Sequence, residues 1–148
     1  MRRWSGRLRR MTATDYRTAL DTLRLAVCVE IALRVMPFSR LLHRLRRVRP
    51  DSAAGAHDVS AAHEYQRLRR FVAIAYEILP FPATCLRQSL VLYGLLERRG
   101  VPSRFCVGVA KDGSALAAHA WIDCDGVPHD AAAIAVGELR ALPVLPRL

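Results

Sequence analysis

Around Gly100 the apolar residues of this chain change their period, and that change limits its fold more than any other feature. Leu86, Leu90, Tyr93 and Leu96 recur at helical spacing up to Gly100, whereas Phe105, Val107 and Val109 alternate with Cys106, Gly108 and Ala110. The first pattern is one face of a helix; the second is a strand over 103–111, buried on one face or both. Residues 111–114, Lys-Asp-Gly-Ser, then signal a turn. The run 116–126 reads as a second strand, with His119, Trp121 and Asp123 on one face and Ala118, Ala120, Ile122 and Cys124 on the other. Asp125 and Gly126 turn the chain again, and 127–130 (Val-Pro-His-Asp) makes a short third strand. Helix first and paired strands after predict an α+β fold, a helix packed on a small antiparallel sheet.

Three helices are expected upstream. Thr12 with Asp15 three residues on has the pattern of a capping box, and a helix follows as far as Pro37. Asp21, Arg24, Glu30 and Arg34 interrupt its apolar residues too often for a membrane span, so it is expected to be buried or to face a partner. Next, Phe38, Leu41, Leu42, Leu45 and Val48 form an apolar stripe among Arg40, Arg44, Arg46, Arg47 and Arg49. A short basic amphipathic helix of this kind suits an acidic partner or an anionic membrane surface, and equally a core helix with a solvated face. Residues 50–60 are small and polar, as in a linker. Ser60 starts a third helix that turns Tyr65, Leu68, Val72, Ile74, Ala75 and Ile78 to the core. The chain divides into a basic helical segment, 1–50, and a core, 51–148, within one compact domain, because 148 residues are too few for two ordinary ones.

Charge follows the same division. Residues 1–50 hold 13 basic and 3 acidic side chains, the whole net charge of +10, and residues 51–148 hold 10 of each. A nucleic-acid-binding module on residues 1–50 is the alternative that this excess raises. No helix-turn-helix pattern accompanies it, and every basic residue but Lys111 is arginine, as a GC-rich genome also produces. The basic start is not followed directly by an apolar core and a small-residue cleavage site. Four cysteines (Cys28, Cys85, Cys106, Cys124) occur without a C-x-x-C pair, so free thiols in a reducing cytoplasm are expected.

One of those thiols is unusually placed. Pro80 and Pro82 end the preceding helix, Thr84 can cap the next, and Cys85 then falls near its first position. Unpaired N–H groups and the positive dipole end favour a thiolate there, which makes Cys85 a usable nucleophile; as a small apolar residue it would simply pack. A thiol nucleophile needs a base that later protonates the leaving amine, and a third group to orient that base. His119, in the middle strand, can project toward the start of an adjacent helix, and Asp130 on the next strand can reach the other ring nitrogen. Asp123 is the competing acid, but it lies four residues from His119 along one extended strand. A zinc site from Cys85, His119, Cys124 and His129 lacks paired short ligand spacing. Cys106 and Cys124 read as core thiols, His43, His57 and His63 as surface or interface histidines, and Trp121 as packing beneath the site or, second, as a wall of the substrate groove. Gln88, one turn on, is either a polar helix residue or a supporting donor, and the Cys85 N–H is the preferred oxyanion donor.

The stretch from Thr84 to Gly113, with Cys85 at a helix start and 99–102 (Arg-Gly-Val-Pro) before the first strand, followed by His119-Ala120-Trp121, resembles the leader peptidase of bacterial lasso-peptide biosynthesis. That family is a transglutaminase-like, papain-related group of cysteine proteases, and the likeness spans about residues 65–135. The N-terminal helices and the length fit the split form, in which the protease is separate from a small leader-recognition protein. The resemblance implies a triad of Cys85, His119 and Asp130. It also implies leader cleavage from a ribosomally made precursor peptide, no cofactor, and two protein partners: the recognition protein and an asparagine-synthetase-like, ATP-using lasso cyclase. The same triad would serve a transglutaminase or an arylamine acetyltransferase. Arg87 stands where a smaller or apolar residue is expected and His129 where asparagine is common; both leave the triad intact.

Overall fold

The computed structural model describes residues 12–46, 59–112, 115–124, 127–128 and 140–142. Within them, helices α1 (Ala13–Val35), α2 (Phe38–Leu45), α3 (Val59–Ile78) and α4 (Cys85–Arg99) precede strands β1 (Arg104–Asp112), β2 (Ala115–Cys124), β3 (Val127–Pro128) and β4 (Arg140–Leu142). The strands form one antiparallel sheet in the order β3-β2-β1-β4. This is the α+β class that the change of period predicts.

Local chemistry sets most helix ends. Thr12 and Asp15 make the expected reciprocal box at the start of α1, the Asp15 carboxylate also taking the Thr12 N–H at 3.0 Å. Pro37 follows one residue after the C-cap Met36, where helix propagation stops. Thr84 caps α4, accepting from the Arg87 N–H, and Gly100 closes it in the left-handed region at φ 71°, which a side chain would resist.

The helices share one core. Leu25, Ala26 and Val29 of α1, Leu41 and Leu42 of α2, Tyr65, Leu68 and Val72 of α3 and Leu90, Val91, Leu95 and Leu96 of α4 are buried together. Polar contacts mark the helix directions. Asp15 near the start of α1 meets Arg67 of α3 at 2.8 Å, and Thr18 meets Arg99 at the far end of α4 at 2.7 Å. Glu30, near the other end of α1, meets Arg87 in the first turn of α4. Thus α4 runs antiparallel to α1, and its start lies at the C-terminal end of α1. Gly94 permits the close approach: a Cβ there would stand 3.0 Å from side-chain atoms of both Leu25 and Leu45. That contact accounts for a glycine inside a helix, where it costs about 1 kcal/mol relative to alanine.

The sheet joins this core by one face. Phe105, Ala120, Ile122 and Cys124 enter it, and Phe105 lies between Phe38 of α2 and Tyr93 of α4, with ring centroids 5.9 and 6.1 Å away. Trp121 and Cys106, opposite each other in the register, are buried on the alternate face. Strand β4 was not visible in the apolar pattern; it pairs Leu142 with Val107 and Arg140 with Val109.

Candidate functional site

The start of α4 is held by bonds within the seven residues 82–88. The Thr84 N–H donates to the Pro82 carbonyl at 2.9 Å, the Arg87 N–H to Thr84 Oγ1 at 3.4 Å, and the Gln88 N–H to the Thr84 carbonyl at 3.1 Å. Gln88 also turns its side chain back, Nε2 donating to the Ala83 carbonyl at 2.9 Å. Gln88 therefore braces the turn before the helix, a more specific role than the two open to it from sequence. Cys85 is the first residue of α4 and is half-buried against the core. Its backbone N–H belongs to the set that a helix start leaves without an intrahelical acceptor.

Ser89 connects that helix start to the sheet. Its buried hydroxyl donates to the backbone carbonyl of Ala120 at 3.0 Å. Four residues of helix rise about 6 Å, so Cys85 stands one turn from a contact with the residue next to His119. His119 is half-buried on the strand face that also carries Trp121, its ring nearly parallel to the indole at 12° and 6.2 Å between centroids. Trp121 is 8% exposed, so the indole is buried beside the imidazole.

The remaining candidates separate by position. Asp123 pairs with Arg104 in the register and lies about 13 Å along the strand from His119, at roughly 3.3 Å per residue. Its half-buried side chain has one buried oxygen, Oδ1, without a hydrogen-bond partner among the described residues. Asp130 and His129 lie outside the described residues, as do Arg47, Val48, Arg49 and His57. Cys124 faces the helical core and His119 the opposite side of the same strand, so the two do not converge as a shared metal site requires. Among the described residues no group of three histidine, cysteine or acidic side chains is placed to hold a metal ion. Cys106 and Cys124 are buried thiols, and burial, with the nearby charge of Asp123, pushes the Cys106 thiol up from its ordinary value. His43 and His63 are exposed.

Comparison with known proteins adds one finding: a family model described as the transglutaminase-like superfamily matches residues 25–142. The chain belongs to the transglutaminase-like superfamily. Members of that superfamily are typically cysteine-dependent enzymes, of cysteine-protease or acyltransferase type. No curated protein and no solved structure matches the chain. The matched region takes in the second half of α1, so Glu30 and Arg34 lie inside the transglutaminase-like domain. No helix among the described residues is long and apolar enough to cross a membrane.

Three side chains around the start of α4 escaped the sequence reading. Ser89 shares the Cys85 face at i+4, a spacing that could have marked it. Glu30 interrupts the apolar pattern of α1 as a solvated residue would, yet it is 1% exposed and paired with Arg87. Tyr76 lies among the apolar residues of α3, and its hydroxyl is buried beside that pair.

Proposed function

We propose that this transglutaminase-like protein is a cysteine peptidase that removes the leader from a ribosomally made lasso-peptide precursor. One observation supports the reading above others: Cys85 opens a capped helix whose next turn is bonded to the strand residue beside His119. In this reading the Cys85 thiolate attacks the scissile carbonyl, and the backbone N–H groups at the helix start receive the developing oxyanion. His119 protonates the departing amine, the C–N bond breaks, and the leader stays as a thioester on Cys85. Water, deprotonated by His119, then releases the leader as a free acid and restores the thiol. Asp130 orients the imidazole. The freed amine of the core peptide becomes the substrate of an ATP-using, asparagine-synthetase-like cyclase, and a separate recognition protein delivers the leader.

Acyl transfer by the same residues differs only in what attacks the thioester, an amine in place of water. The experiment is to combine the purified chain with a lasso-type precursor peptide and a leader-recognition protein and to weigh the products. Leader ending in a free carboxylate, formed by wild type and not by Cys85→Ala, supports the peptidase. Leader joined through its new carboxyl end to an added amine assigns the transferase. An active Cys85→Ala protein refutes both.

A further inference from the structure

Glu30 is 1% exposed, on a face of α1 it shares with Ala26 and Val29. A buried carboxylate is costly unless charge and hydrogen bonds meet it. Two arginines do so from different helices. Arg34, one turn on, places Nη1 3.1 Å from Oε2 and donates to the Glu30 carbonyl at 2.9 Å. Arg87 of α4 brings Nε to 2.5 Å from Oε1, an ion-pair contact made outside hydrogen-bond alignment. Tyr76 of α3 closes the cluster. It is 5% exposed, its hydroxyl has no hydrogen-bond partner among the described residues, and burial, then the charge of Glu30, pushes it up to about 12.

The position of Arg87 makes this pairing more than core chemistry. Arg87 is the third residue of α4, where the helix dipole opposes a cation, and the first turn of α4 contains no acid of its own. Glu30 supplies that missing negative charge from another helix. Arg87 is consequently held twice, by its N–H to Thr84 Oγ1 and by its guanidinium to Glu30. Cys85 lies in the short span between Thr84 and Arg87. Stability alone does not call for a buried carboxylate against a half-buried guanidinium, because apolar residues of similar volume commonly replace such a pair without loss.

We infer that Glu30 is a positioning residue for Cys85: through Arg87 it ties the first turn of α4 to α1 and fixes where the sulfur stands. This rests on the reading of Cys85 as the nucleophile and adds to it a determinant on a different helix. The test is iodoacetamide labelling of the intact chain near neutral pH, with peptide mass spectrometry giving the Cys85 rate divided by that of Cys28. Cys28 is exposed on α1 and serves as the internal reference. Two variants are compared with wild type by this ratio and by thermal melting. Glu30→Met/Arg87→Met removes both charges together, and Glu30→Asp keeps the charge but shortens its reach. Expected are a melting temperature near wild type in the double variant and a lower one in Glu30→Asp, whose buried carboxylate falls short of Arg87. The ratio is expected to fall on the order of 10- to 100-fold in the double variant, less in Glu30→Asp, as a sulfur moved from the helix start loses reactivity. A purely structural pair would move melting alone, so a wild-type ratio in either folded variant overturns the positioning role. A wild-type protein whose Cys85 reacts no faster than Cys28 overturns the nucleophile reading itself, a result distinguishable from the first.

Discussion

Replacing Ser89 by alanine tests the joint between helix and strand. The hydroxyl is buried and spends its proton on the Ala120 carbonyl. Removing one partner of a buried hydrogen bond leaves the other unsatisfied, at a cost of about 1–3 kcal/mol. Alanine is the better helix former and returns roughly half a kcal/mol. The net loss is therefore about 1.5 kcal/mol. For a domain of this size each kcal/mol moves the melting temperature by roughly 2–4 °C, so Ser89→Ala should melt roughly 3–6 °C below wild type. Circular dichroism melts of the two proteins measure this directly. The same bond anchors the turn that follows Cys85, so peptide cleavage should slow in the folded variant at temperatures well below its transition. A melting temperature within about one degree of wild type, with cleavage unchanged, would show that the contact carries neither stability nor alignment, and the argument placing Cys85 beside the His119 strand would lose its main support.

Further outcomes follow from the same chemistry. Asp130→Asn should slow cleavage on the order of 10²–10⁴-fold by analogy with serine triads, with Asp123→Asn nearly silent; the reverse order in initial-rate assays would exchange the two acids. Asp15 is held down to about 2 from an ordinary 3.8, chiefly by its hydrogen bond to Arg67 and then by the Thr12 N–H. Its folded value lies below the unfolded one, so its contribution is complete above the unfolded value near 3.8 and is lost as pH falls toward about 2. Asp15→Asn should accordingly melt below wild type at neutral pH, the gap narrowing across that acid window. Charge reversal at Arg44, Arg46 and Arg47 should raise the apparent KM for leader-guided cleavage and leave kcat nearly unchanged, with salt mimicking the effect on wild type. Tight, salt-sensitive nucleic-acid binding lost in that variant, with no cleavage by wild type, would favour the nucleic-acid alternative.

Much of the fold was legible because its signals are local. A capping residue, a proline or a glycine acts on the backbone within a few positions, so the start of α1, the Thr84 cap and the Gly100 stop could be read along the chain. The two long strands were equally plain, since alternation over 105–110 and 119–124 needs no partner to be recognised. Placing Cys85 at the first helical position came from the same local rules. Strand β4 escaped because three residues carry too little periodicity; its identity comes from pairing with Val107–Val109 of β1.

What the sequence determined by itself, then, is where the helices and the two long strands begin and end, most of their apolar faces, though Ile78, expected in the core, is 65% exposed, and which thiol stands at a helix start. The tertiary structure alone decided which polar groups meet. Glu30 and Arg87 are far apart in the chain, and nothing in their neighbours distinguishes a solvated glutamate from one that is 1% exposed against a guanidinium. The Ser89 hydroxyl likewise found the Ala120 carbonyl only when α4 packed on β2. The physical reason is common to both: periodicity reports which side of an element leaves water, because burial of apolar surface is non-directional. A hydrogen bond or ion pair depends on distance and angle between groups that only the packed helices and strands bring within reach.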